Sequence, residues 1–122
     1  MTIVVGHLAT PEGREALSAA VEEARQRGLP LVVVTTGKGA EDGSDAGLGE
    51  LTGGLEQSGL QVRVVPGTGD LADDLVRAAT DTGAELVVIG LRRRSPVGKL
   101  ILGAGAQRIL IEAPCPVLTV KV

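Results

Sequence analysis

Three short aliphatic runs constrain the fold of this chain more than any other feature. Ile3-Val4-Val5, Leu31-Val32-Val33-Val34 and Leu86-Val87-Val88-Ile89 contain no polar residue. A strand with one wet face alternates apolar and polar side chains. An unbroken, mostly β-branched run instead fits a strand covered on both faces, as in a parallel sheet. Parallel strands need long crossover connections, usually helices, and the intervening segments have helical spacing. Thr10-Pro11-Glu12 reads as an N-cap, a proline at the first helical position and an acid in the first turn. Leu17, Ala20, Val21 and Ala24 then recur at a helical period, and Gly28 ends that helix. Gly69-Asp70 opens another helix, with Asp70 as N-cap, a buried stripe of Leu71, Leu75, Ala78 and Ala79, and Gly83 as its end.

The remaining segments complete the pattern. Thr36 to Gly47 reads as a glycine-rich loop, and Leu48 to Gln57 as a weaker helix. Gln61 to Val65 is a third strand. Val97 to Leu102 reads as a helical turn, Gly103 to Glu112 as a helix and Pro116 to Val122 as a fifth strand. The alternation implies a single α/β domain over residues 1–122. Its expected form is a five-stranded, Rossmann-like parallel sheet with helices on both faces. Ligands of such sheets sit beyond the carboxyl ends of the strands, where strand order reverses.

Composition narrows the function. The chain has no Phe, Trp or Tyr, so its core must be built from Val, Leu, Ile and Ala, and it lacks stacking platforms for single-stranded nucleic acid. A net charge of −3 also argues against a nucleic-acid partner. A single cysteine excludes an internal disulfide. No run approaches the roughly 20 apolar residues of a membrane span, and the first strand begins at once. The expectation is a cytoplasmic protein without a membrane partner.

Charge is unevenly placed. Residues 86–111 hold five of the twelve basic residues (Arg92, Arg93, Arg94, Lys99, Arg108) and none of the fifteen acidic ones. They include a glycine-rich stretch, Gly90 to Ala106, between a strand and a helix, where α/β proteins hold anions. Gly98-Lys99 does not make a P-loop, because Arg93 and Leu100 stand where a glycine and a hydroxyl residue are required. Asp70, Asp73 and Asp74 form a carboxylate cluster whose ordinary role is to complement a helix dipole. His7 has no metal partner visible in the sequence, and Cys115, between two prolines, reads as a packed thiol.

The chain resembles universal stress proteins of the UspA type. The likeness rests on Ile3-Val-Val-Gly6 followed by Thr10-Pro-Glu-Gly-Arg-Glu-Ala-Leu17, on Ala84-Glu-Leu-Val-Val-Ile-Gly90, and on Leu100-Ile-Leu-Gly103 through Ala113-Pro-Cys-Pro-Val-Leu-Thr-Val120. It implies strand order 3-2-1-4-5 and a homodimer through strand five, Val117 to Val122. An uncovered, weakly charged edge there would itself need a partner. Members that bind ATP carry an Asp after strand one and a signature of glycine, two residues, glycine, nine residues, glycine, then Ser or Thr. Here Gly90 and Gly103 keep the outer glycines and the spacing. Arg93 stands at the middle glycine, Ala104 at the hydroxyl and Leu8 at the Asp. Thr36 falls where backbone would meet adenine.

The resemblance thus implies a non-enzymatic stress-response module. ATP, ADP, AMP or a bare anion would lie at Gly90, Arg92, Arg93, Gly103 and Ala104, with Leu8 and Thr36 near the base. Arg92, Arg93, Arg94 and Lys99 offer side-chain contacts to phosphate in place of a tight glycine turn. Two other readings stand beside it. One is a nucleotide-free dimer whose Arg92–Arg94 loop docks an acidic protein. The other is a weak ATPase, disfavoured because no acid lies between Glu85 and Glu112 to hold a metal. No metal is expected.

Overall fold

The computed structural model describes residues 1–6, 11–35, 54, 55, 57, 59–91 and 104–121. Its elements are β1 (Ile3–Gly6), α1 (Pro11–Arg27), β2 (Leu31–Val34), β3 (Val62–Val65), α2 (Leu71–Thr82), β4 (Leu86–Leu91), α3 (Ala104–Glu112) and β5 (Val117–Lys121). Gly54, Leu55 and Gln57 are helical. The rest of the expected Leu48–Gln57 helix, and the turn at 97–102, lie outside the described residues. The strands form one parallel sheet in the order β3-β2-β1-β4-β5, as the resemblance implied.

The unbroken apolar runs are covered on both faces. Alternate residues of β1, β2 and β4 enter two separate cores. Ile3, Val5, Leu31, Val33, Leu86 and Val88 meet Ala16, Leu17, Ala20 and Ala24 of α1. Val4, Val32, Val34, Val87 and Ile89 meet Ala72, Leu75, Ala78 and Ala79 of α2, with Ile109 of α3. Small alanine faces let the helix axes approach closely, so β-branched side chains fill the space without any aromatic ring.

The helix ends follow local chemistry. Asp70 caps α2, its side chain accepting from the Asp73 amide at 3.2 Å. Gly83 closes α2 in the left-handed conformation at φ 64°, with its N–H on the Ala79 carbonyl. The expected stripe of α2 shifts slightly, since Ala72 is buried and Leu71 only partly so. β4 differs from expectation more. It was expected to end at Ile89 but continues through Gly90 and Leu91, which pair with Val120 and Lys121.

Candidate functional site: the crevice beyond β1 and β4

β1 pairs with β2 on one side and β4 on the other. The chain therefore reverses its winding between β1 and β4, and a crevice opens beyond their carboxyl ends. A cavity of about 170 Å³ occupies it. Its walls include Gly6 from β1, Gly13 from α1, Gly90 from β4 and Gly105 from α3, closed by Leu71 and Ile109. Among the described residues its lining carries no polar side chain. Four glycines keep side chains off much of a wall that is mostly apolar.

Gly90 is the sequence-predicted site residue most fully placed. It lines the cavity and lies inside β4, one residue before the strand's end. Its lack of a side chain has a packing cause. A Cβ there would stand 2.1 Å from the Glu12 carbonyl oxygen and 2.6 Å from its carbon. The first turn of α1 thus rests directly on the β4 backbone. Ala104 is the first residue of α3, where free amide groups of a helix start favour an anion. Leu8, Thr36, Arg92, Arg93 and Gly103 lie outside the described residues, as do Arg94, Lys99 and His7.

The neighbour of Thr36 is placed. Thr35 is buried at the end of β2. Its amide donates to the Val65 carbonyl at 3.0 Å and its hydroxyl accepts from the Gly67 amide at 3.4 Å. Buried Asp74 accepts from the Thr68 amide at 2.7 Å and from its hydroxyl at 2.9 Å. These bonds tie the β3–α2 connection to the end of β2 and to α2.

The carboxylates of α2 therefore have separate duties. Asp70 caps, Asp74 holds Thr68, and Asp73 pairs with Arg77 and Arg108. Arg108 also reaches Asp70 at 3.1 Å and Glu112 at 2.9 Å. The Asp73 amide and, after it, Arg108 hold the Asp70 carboxyl below its ordinary range. Glu112 and then Asp70 push Arg108 above its own. Arg108, counted in the basic stretch by sequence, is thus occupied by three carboxylates. Sequence reading also passed over Glu12, whose Oε2 is buried with no hydrogen-bond partner among the described residues. The linear pattern marks Glu12 only as a first-turn acid. Cys115 is half-buried against the α2–α3 core, and burial pushes its thiol up.

The described residues hold no cluster of His, Cys, Asp and Glu fit for a metal ion. No helix among them is long and apolar enough to cross a membrane.

Comparison with known proteins bears on this crevice. The sequence model of the Universal stress protein family matches residues 1–121. A universal stress protein of Mycolicibacterium smegmatis is 43% identical over 98% of this chain and 96% of its own length. Among solved structures, a universal stress protein from Archaeoglobus fulgidus superposes with a TM-score of 0.77 at 33% identity, covering 99% of this chain and 98% of that one. Another from Archaeoglobus fulgidus, in complex with dAMP, has a TM-score of 0.71 at 28% identity over the same shares of the two chains.

Proposed function

This chain belongs to the universal stress protein family, and we propose that it is a non-enzymatic regulatory module that binds an adenine nucleotide in the β1–β4 crevice. The observation that carries this reading is the cavity at the switch point, walled by Gly6, Gly13, Gly90 and Gly105. The dAMP held by the Archaeoglobus fulgidus relative supports adenine nucleotides as the ligand class. The apolar walls suit a base or the carbon face of a ribose, and the start of α3 at Ala104 suits a phosphate. At about 170 Å³ the cavity is below the roughly 300–1,000 Å³ of sites that enclose a whole drug-sized ligand. Further contacts then fall to Leu8, Thr36, Arg92, Arg93 and Gly103.

Without Trp or Tyr the protein absorbs almost nothing at 280 nm. A 260 nm band released on denaturing the purified, nuclease-treated protein is expected. No band, together with no thermal shift in millimolar Mg-ATP, refutes the nucleotide reading and leaves an acidic partner at Arg92–Arg94 as the function of the basic loop. ATP hydrolysis above background would overturn the non-enzymatic part.

The same reading includes a homodimer through β5. Among the described residues that strand pairs only with β4 and ends the sheet. Val117, Leu118 and Val120 are half-buried, and Ile111 in the preceding helix is 81% exposed. A second copy would cover such an edge. Light scattering at tens of micromolar should give twice the 12.4 kDa chain mass, and a monomer mass refutes it.

A further inference from the structure

The two helices that flank the crevice begin with opposite electrostatics. The first turn of α3 carries no acid, so its free amide groups favour an anion. The start of α2 carries Asp70, Asp73 and Asp74. The two helices pack closely at their starts, where a Cβ at Gly105 would lie 3.9 Å from that of Ala72. Leu71 and Ala72, directly after Asp70, line the same cavity as Gly105 and Ala106. Carboxylates therefore stand beside a helix end suited to phosphate.

We propose that Arg108 is the charge screen of this crevice: by pairing with Asp70 and Asp73 it cancels their field at the start of α3 and so sets the preference for multiply charged ligands. The inference rests on the nucleotide reading above. Arg108 lies four residues after Ala104, about 6 Å along the helix and inside the ~8 Å Debye length at physiological salt. Its Nε is taken by Glu112, which turns Nη1 toward Asp70 at 3.1 Å and Nη2 toward Asp73 at 3.2 Å. Asp73 has Arg77 as a second partner, and Asp74 is bound to Thr68. Among the described residues Arg108 is the one cation bonded to Asp70. Exposed ion pairs of this kind contribute little to folding stability. Their effect on a neighbouring anion is electrostatic, so it appears in the charge dependence of binding.

The test is equilibrium dialysis of ATP, AMP and adenosine against the wild-type chain, Arg108→Gln, Arg108→Lys and Asp73→Asn, at low salt and at 0.5 M salt. Arg108→Gln should bind ATP about five-fold more weakly at low salt, the scale of a partly screened charge pair. AMP should lose less and adenosine nothing, and the loss should shrink in high salt. Arg108→Lys should retain ATP binding, and adding Asp73→Asn to Arg108→Gln should restore much of it. Asp73→Asn alone should tighten ATP relative to adenosine, which tests the screen even if Arg108→Gln folds poorly. Equal weakening of all three ligands, or no weakening, overturns the screen while leaving the nucleotide reading intact. A wild-type chain that binds none of the three refutes both.

Discussion

Replacing Gly90 by alanine separates two reasons for a glycine at the end of β4. One reason is approach of a ligand, as the resemblance to nucleotide-binding signatures implies. The other is packing, as the geometry shows. An alanine Cβ would lie 2.1 Å from the Glu12 carbonyl oxygen and 3.0 Å from the Glu12 Cβ. Non-bonded heavy atoms are most favourable near about 3.5 Å, so the first turn of α1 must retreat by about 1 Å or more. Main chain cannot turn aside as a side-chain tip can. The retreat would also loosen Ala16 and Leu17 from Val5 and Val88 in the core beneath. The cost should therefore lie at the upper end of the ~1–3 kcal/mol typical of overpacking.

The assay is urea unfolding followed by far-UV circular dichroism, because the chain has no Trp or Tyr for fluorescence. With a urea m-value of about 1–3 kcal/mol/M, a loss near 3 kcal/mol lowers the midpoint by about 1 M or more. Gly90→Ser should behave like Gly90→Ala, since the first added carbon makes the clash. A Gly90→Ala chain within about 0.5 kcal/mol of wild type, the range of innocuous surface changes, would refute the packing argument. Loss of nucleotide binding in that same stable variant would return Gly90 to a ligand role.

Three further outcomes are expected. Asp74→Asn turns one acceptor of the Thr68 amide–hydroxyl pair into a donor, and should cost about 1–3 kcal/mol in the same urea assay. Because the Asp73 amide and Arg108 depress the Asp70 carboxyl, its contribution is fully present above the unfolded value of about 3.9 and is lost as pH falls through the lower folded value. Asp70→Asn keeps a cap but cannot titrate, so its melting temperature should fall less steeply than wild type in that acid range. Cys115, with its thiol pushed up by burial, should react slowly with a disulfide reagent at pH 7 and fully once urea unfolds the chain.

The fold was legible because its signals are local and agree with one another. Ile3 to Val5, Leu31 to Val34 and Leu86 to Ile89 could hardly be half-wet strands. Asp70 and Gly83 mark the ends of α2 by chemistry that needs no tertiary contact. Of the residues expected at the candidate site, Gly90 lines the cavity. Gly90 was read as the start of a glycine-rich stretch between a strand and a helix. Its clash partner, Glu12, comes from another element 78 positions earlier in the chain, and no pattern along the sequence records that approach. The boundary error of β4 has the same origin, since the pairing of Gly90 and Leu91 is with β5.

Arg108 shows why charge counted along a chain can misstate charge in space. Residues 86–111 have no acid in the sequence, yet Arg108 points out of that window, to Asp70 and Asp73 at the start of α2 and to Glu112 just beyond it. The positive field ascribed to the stretch therefore reduces to Arg92, Arg93, Arg94 and Lys99, and Arg108 acts by neutralising acids on the opposite helix. On the nucleotide reading, two kinds of basic residue would act on a ligand of the crevice in different ways. Arginine next to a ligand adds attraction and should change binding in proportion to ligand charge when removed. Arg108 should give the same charge dependence with a difference in its rescue. Neutralising Asp73 compensates for losing Arg108, because the screen is needed only while the carboxylate is there. The same Asp73 change leaves intact whatever contact an arginine makes directly to phosphate, so it cannot restore that contact once lost.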